Sequence, residues 1–345
     1  MHGQPRVRTR RRRITALLAA IAAVAMVATA CKPPPPLGTV TGHAAAAPQW
    51  PNLADPFVMA DGGHYYVYDS NTFVRLPVQR VDSLTQVVDD STWFFQTTNA
   101  MPSRPAWAAN DTLWAPTVAH VPGGYVMFFA AHRIDPPDPA NDTCIGRATS
   151  SSPLGPFVPE AAPFSCGLGG TGGALDPDLF RAPDGNWYLY AAFGNTESPI
   201  YAFLLDGNAD AGRDASGTAG FWPFPVLAKH FAWEGRFIEN PSMAYDAASG
   251  TYLLSYSAGD WWTAGYSTGL ARCSTPVGLC TSSPNGPWLA SGNGRTGVGG
   301  LSFFRAVDGS LHAVYASFAA GHEGGQRAGT VASVSGGSAP DLGAP

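Results

Sequence analysis

Three carboxylates occupy comparable places in a recurring pattern: Asp55 before Pro56, Asp176 before Pro177, and Glu239 in Glu239-Asn240-Pro241. Two carboxyl groups facing each other across a cleft can divide acid and base work. One gives a proton to a leaving oxygen while the other activates water or attacks directly. Clustered like charges also raise one another's pKa, which keeps a carboxyl protonated near neutral pH. Singly, an Asp before Pro is an ordinary turn starter. Three at matched positions, in a chain of 345 residues with only 25 Asp and Glu, point to a site.

The elements that must position these groups repeat. Five segments share a polar or acidic residue, usually a Pro, a strand, a Gly-containing turn and an aromatic strand. They read ADPFVMADGGHYYVYDS from Ala54, WAPTVAHVPGGYVMFFAA from Trp114, LDPDLFRAPDGNWYLYAAF from Leu175, ENPSMAYDAASGTYLLSYSA from Glu239 and GLSFFRAVDGSLHAVYASF from Gly300. The prolines stand at 56, 116, 177 and 241, with Ser302 in the fifth copy, so the steps are 60, 61, 64 and 61 residues. Each copy reads as a hairpin around Asp61-Gly62-Gly63, Pro122-Gly123-Gly124, Pro183-Asp184-Gly185 or Asp308-Gly309. Such a period leaves room for two more strands, the content of a four-stranded antiparallel blade, and repeated blades close radially. The predicted fold is all-β: a five-bladed β-propeller over residues 51–334, followed by a flexible tail, 335–345. A β-sandwich has similar strand content but does not explain the period. In a propeller the first strand of each blade lines the axis. Asp55, Ala115, Asp176, Glu239 (one before the Asn240 slot) and Gly300 are therefore expected to converge.

Composition agrees. Only 13% of residues are charged, against roughly 25% in an average soluble domain. The 40 glycines and 31 prolines interrupt nearly every helical window, which excludes a long bundle or coiled coil. At the N-terminus, Arg6, Arg8, Arg10, Arg11, Arg12 and Arg13 precede an apolar run from Ile14 to Ala30. That describes a secretory signal over residues 1–31. Val27-Ala28-Thr29-Ala30-Cys31 resembles a relaxed lipobox and predicts lipidation at Cys31, with 32–50 as a Pro/Ala-rich tether; the alternatives are a cleaved signal ending near Ala47 and an uncleaved anchor. The expectation is an extracellular, cell-surface bacterial lipoprotein that meets membrane only through its lipid anchor. Without the six arginines, 14 basic residues face 25 acidic ones, a balance of −11 that argues against nucleic acid as a partner. In an oxidising compartment the other four cysteines pair. Cys273 and Cys280 enclose a Pro-Val-Gly turn, leaving Cys144 with Cys166.

Export, low charge and ten tryptophans suit a carbohydrate partner, because indole faces stack on sugar rings. Trp114 directly precedes the second slot and is expected at the cavity wall; Trp261 and Trp262 follow the fourth hairpin and are expected at a subsite rim.

ADPFV, WAPTV, LDPDLF and IENPS, in this order and about 60 residues apart, resemble glycoside hydrolase family 43 across roughly residues 51–334. The resemblance implies a five-bladed propeller that hydrolyses arabinan, xylan and related side chains with inversion. It implies Asp55 as general base, Asp176 as the Asp that tunes and orients, and Glu239 as general acid. Inversion calls for acid and base carboxyls ~6.5–9.5 Å apart, leaving room for water. The substrate expected is an oligo- or polysaccharide rich in arabinose or xylose. The chain departs from the family at Asn240, where many members have Gly, and at Thr117, where the second motif often ends in an acid. Leu175 stands where related fructan-acting families usually carry Arg. Family members often hold a metal or water on the axis, which makes His322 a candidate ligand for an axial calcium ion, with no cofactor required. Arg327 is a candidate for reaching substrate hydroxyls. The alternative is a non-catalytic, cell-surface carbohydrate-binding propeller, in which Glu239 would be solvent-exposed with an ordinary pKa.

Three other patterns carry less. Gly265-Tyr266-Ser267-Thr268-Gly269 matches a serine-hydrolase elbow, with Asp308 and His312 in the right order, but the following residues are too short and Pro-limited for the required helix. DGNADAGRDASG from Asp206 has Ala211 where a calcium loop needs Gly and Gly217 where it needs Glu. No phosphate-cradling G-x-x-x-x-G-K occurs.

Overall fold

The computed structural model describes residues 53–70, 74–87, 97–136, 142–168, 173–194, 198–211, 223–335 and 341–343. The signal, the tether and Cys31 lie outside the described residues. Among the described residues, twenty strands form five antiparallel four-stranded sheets, each from consecutive strands. Blade one holds β1 (Phe57–Asp61), β2 (His64–Tyr68), β3 (Pro77–Val81) and β4 (Thr98–Asn99); blade two holds β5 (Ala108–Val121), β6 (Gly124–Arg133), β7 (Thr143–Ser150) and β8 (Val158–Pro159). Blade three comprises β9 (Ala174–Arg181), β10 (Trp187–Phe193), β11 (Ile200–Leu205) and β12 (Phe224–Leu227). Blade four comprises β13 (Ile238–Asp246), β14 (Thr251–Ala258), β15 (Ser267–Cys273) and β16 (Thr281–Ser282). Blade five comprises β17 (Arg295–Arg305), β18 (Leu311–Ala319), β19 (Ala328–Ser335) and β20 (Asp341–Gly343). Within the expected tail, residues 341–343 form a strand. Ser335 ends β19, and β20 pairs with it through Val334 and Leu342, completing the fifth blade as its outer strand.

Both faces of each sheet are apolar, so neighbouring blades pack face to face and the core falls into one cluster per interface. Phe57, Tyr68, Met127 and Phe129 join blades one and two; Val126, Phe128, Leu189 and Phe203 join two and three. Tyr190, Ile200, Met243 and Tyr256 join three and four; Leu253, Leu270, Phe303 and Tyr315 join four and five. The ring closes where Val58, Tyr65 and Val67 meet Phe304, Val314 and Val331. Side-chain packing makes that closure, reinforced by the Leu53 N–H donating to the Arg327 carbonyl at 3.0 Å. Both expected disulfides form: Cys144–Cys166, and Cys273–Cys280 beside the turn from β15 to β16.

A second register of links binds the inner strands two residues beyond the slots at Ala115, Asp176 and Asn240. Thr117 Oγ1 accepts the Leu179 N–H (3.0 Å), Asp178 Oδ2 accepts the Met243 N–H (2.9 Å), and Ser242 Oγ accepts the Phe303 N–H (3.0 Å). Each link crosses one blade interface. Thr117, a departure from the family pattern, is here a structural acceptor.

Asp178 is buried, and burial pushes its carboxyl up to about 7 against the lowering effect of the Met243 N–H and Ser242 hydroxyl bonds. The folded chain then holds a proton that the unfolded chain releases near the ordinary Asp value of 3.8. Folded and unfolded proton counts differ between those two values, so stability falls as pH rises through that window, by at most about 1.4 kcal/mol per pH unit. Asp178→Asn is expected to lack this slope. Denaturant titrations from pH 4 to 8 should show the variant gaining on wild type up to about pH 7 and then running parallel; a constant gap throughout would refute the assignment.

Candidate active site

The slots are built alike. In blades two to five, two inner-strand residues oppose one residue on the second strand: Ala115-Pro116 against Phe129, Asp176-Pro177 against Ala191, Asn240-Pro241 against Tyr256, and Gly300-Leu301 against Tyr315. These are β-bulges, which kink a strand and re-aim a side chain. The first residue of every slot has positive φ: Asp55 at 49°, Ala115 at 46°, Asp176 at 54°, Asn240 at 45° and Gly300 at 61°. Gly, Asn and Asp tolerate that region best, which accounts for four of the five. Ala115 holds it under strain, a pattern typical of positions fixed by their surroundings for function.

All five slot residues line one small axial cavity with the prolines at 116, 177 and 241. Asp55 is pinned from several sides. Its Oδ2 accepts the Ser70 hydroxyl (2.7 Å), whose oxygen accepts the Ala115 N–H (2.8 Å). Its Oδ1 accepts the Asn240 Nδ2–H (3.3 Å) and lies 3.9 Å from Arg327 Nη1. Asp69 holds the incoming strand through the Ala54 N–H (2.6 Å). Asp176 is 8% exposed and its Oδ2 accepts the Asn240 N–H at 3.1 Å. Burial first, then the charges of Glu239 and Asp55, raise its carboxyl well above the ordinary range.

Glu239 is 9% exposed. Standing one residue before its slot, it is not among the cavity-lining residues and approaches from beside the axis. Burial, with the Asp55 and Asp260 charges, lifts it to about 7, against the Tyr266 hydroxyl bond and the Arg327 charge. The Asn240 N–H, donated to Asp176 and not to Glu239, favours the ionised form of Asp176 and so works against its burial. Behind the bulge, Tyr256 donates to Glu234 Oε1 (2.7 Å); this buried carboxylate also caps the Phe231 N–H (2.7 Å).

The aromatic candidates divide. Trp261 and Trp262 are 41% and 47% exposed and meet edge to face, with ring centroids 5.6 Å apart. The Arg327 guanidinium lies over Trp261 at 5.4 Å while approaching Asp55, which joins that indole to the carboxylates. Trp114 is half-buried beside the Ala115 slot, edge-on to His132 at 4.6 Å. His322 lies elsewhere: it is exposed and lines a surface depression with Asn293, Arg295 and Glu323. Among the described residues, no group of three or more His, Cys, Asp or Glu is placed to hold a metal ion. The axis itself offers two carboxylates and one amide, with Ala115 and Gly300 bringing no ligating side chain. No step below passes through a metal. Gly265–Gly269 runs into strand β15 with Ser267 buried, so no nucleophile elbow forms.

Tyr266 was not legible as a site residue. Its hydroxyl lies 2.7 Å from both Glu239 Oε1 and Asn240 Oδ1. A side chain on Gly299 would strike its ring, so that glycine is what admits it. Ser70 was also missed; its only signal is its place at the end of the first hairpin, next to the slot.

The family described as "Glycosyl hydrolases family 43" matches residues 51–334. The "Extracellular endo-alpha-(1->5)-L-arabinanase 2" of Bacillus subtilis is 27% identical over 265 residues, 71% of this chain and 53% of its own length. The "Xylosidase/arabinosidase" of Bacteroides ovatus is 26% identical over 294 residues, 74% of this chain and 82% of its own. This chain thus spans about half of the first relative and most of the second. Among solved structures, a thermostable family-43 glycoside hydrolase superposes with a TM-score of 0.71 at 22% identity, covering 88% of this chain and 96% of that one. An α-L-arabinanase of Cellvibrio cellulosa, complexed with arabinohexaose, superposes with a TM-score of 0.66 at 15% identity, covering 85% and 96%.

Proposed function

The chain belongs to glycosyl hydrolase family 43, and on that premise we propose that it is an exported, inverting glycosidase that cleaves arabinose- or xylose-containing plant polysaccharides. Glu239 protonates the departing glycosidic oxygen. Asp55 takes a proton from the water that attacks the opposite face of the sugar. Asp176 orients the pair and keeps the proton on Glu239. Arg327 and Trp261 hold the sugar next to Asp55, with Trp262 extending the rim and Trp114 lining the wall. Cys31 tethers the enzyme to the cell surface as a lipoprotein.

The observation that carries the reading is Glu239: a carboxyl 9% exposed, bonded by the Tyr266 hydroxyl, and raised to about 7, whose charge in turn raises the buried Asp176. A propeller that only binds sugar has no use for an acid held protonated, so this environment favours the hydrolase over the binding module.

Arabinan and arabinoxylan incubated with the purified chain should release sugar, and proton NMR early in the reaction should show the product anomer opposite to the substrate linkage. Retained configuration would overturn the water-activating role of Asp55. Binding without release would replace the hydrolase by the binding propeller.

A further inference from the structure

Counting protons at Tyr266 leads beyond these roles. The phenol has one proton, yet its oxygen lies 2.7 Å from Glu239 Oε1 and 2.7 Å from Asn240 Oδ1. Two hydrogen bonds need two protons, and an amide oxygen has none to give. The amide orientation follows from its far end, where Nδ2 donates to Asp55 Oδ1 at 3.3 Å. The second proton therefore resides on Glu239. Every link then has one donor and one acceptor: Glu239 to Tyr266, Tyr266 to Asn240, Asn240 to Asp55. The Ser257 hydroxyl also faces the phenol oxygen. Its own oxygen accepts the Gly300 N–H (2.8 Å), so its proton can point at the phenol without changing the count.

Rotating the Asn240 amide by half a turn, at almost the same atomic positions, makes a second complete set. Asp55 then donates to Oδ1, Nδ2 donates to the phenol, and the phenol donates to Glu239. Both sets place one proton on the acid and base together. With none, the phenol oxygen and the amide oxygen face each other without a proton; with two, donor faces donor. Tyr266 is 1% exposed and Asn240 8%, so bulk water does not mend either fault.

We infer that Tyr266 and the Asn240 side chain form a two-state hydrogen-bond switch that holds one proton on the Glu239–Asp55 pair and changes hand at each turnover. The inference rests on the hydrolase reading. In that reaction the Glu239 proton goes to the leaving oxygen, and one proton of the attacking water goes to Asp55. The first set is the state before cleavage and the second the state after it. Reset follows when Asp55 releases its proton to water, Glu239 takes one from water, and the amide turns back. Both residues are positioning residues. Asn240 stands where many family members have Gly, and its φ of 45° is one Asn and Gly share, so the switch adds a side chain without rebuilding the bulge.

The other charged groups facing the pair are Asp176, Asp260, Arg327 and Asp69, and they stay in place when the switch is removed. The test uses the full chain with ¹³C-labelled carboxyls, unliganded, as wild type, Tyr266→Phe and Asn240→Gly, each checked by its melting curve. NMR titration of Glu239 and Asp55 should show two apparent pKa values in wild type that draw together from both sides in each variant, by about one pH unit in total. The bell of kcat/KM against pH should narrow equally. A spacing unchanged within about 0.3 pH unit, or both values moving the same way, would overturn the switch. If Tyr266→Phe does not fold, Asn240→Gly decides alone, since its backbone suits the site. Wild type that releases no sugar would refute the hydrolase while the unliganded titration still judges the switch; sugar release with unchanged spacing would refute the switch alone.

Discussion

Glu239→Gln should lower kcat/KM on arabino-oligosaccharides by roughly 10²–10⁴-fold, the usual contribution of a positioned general acid. Gln keeps the size of the side chain and can still hydrogen-bond Tyr266, but it has no proton to transfer. An alkoxide leaving group needs that proton; a nitrophenolate, far less basic, needs it little. The loss should therefore be much smaller on a nitrophenyl glycoside. The alkaline limb of the wild-type pH profile, set by a carboxyl raised to about 7, should disappear in the variant. Glu239 is active when protonated, so wild-type activity falls as pH rises through that value. Equal losses on good and poor leaving groups would remove Glu239 from the acid role.

Asp55→Asn should cost a similar factor, roughly 10²–10⁴-fold, by a different route. The base acts on water, not on the leaving group, so the defect should be the same for oligosaccharides and nitrophenyl glycosides. Asn can still accept from Ser70, so the slot should keep its shape. Azide, which needs no deprotonation, should restore part of the activity and yield a glycosyl azide of inverted configuration. A defect confined to poor leaving groups, or an azide product of retained configuration, would contradict the assignment. Together the two variants separate acid from base by leaving-group dependence alone.

The propeller was legible because a blade is a local object. Each hairpin is set by its own turn residues, the bulges at Asp176-Pro177 and Asn240-Pro241 by a Pro next to a residue that tolerates positive φ, and the period repeats the design. The three carboxylates proposed as base, orienting group and acid were visible for the same reason: Asp55 and Asp176 sit in the repeated slot, and Glu239 directly before it. Three findings were beyond such reading. The three links at Thr117, Asp178 and Ser242 need the next blade to supply an N–H. His322 lines a surface depression with Asn293, Arg295 and Glu323 and not the axial cavity. Residues 341–343 form a strand by pairing with the outer edge of β19, in no repeated motif.

Sequence by itself determined the repeat, the slots, both disulfide pairings and the chemical types of the groups brought to the axis. All of these depend on short-range geometry and on a fold that superimposes equivalent positions. Tertiary structure alone decided protonation and partnership. Burial raises Glu239 and Asp176, Arg327 reaches Asp55 from across the ring closure, and Tyr266 meets a carboxylate 27 residues away and an amide 26 away. The physical reason is that a carboxyl's charge state is set by the water it has lost and the donors it has gained. Both are supplied by residues distant in the chain, and they exist only once the ring has closed.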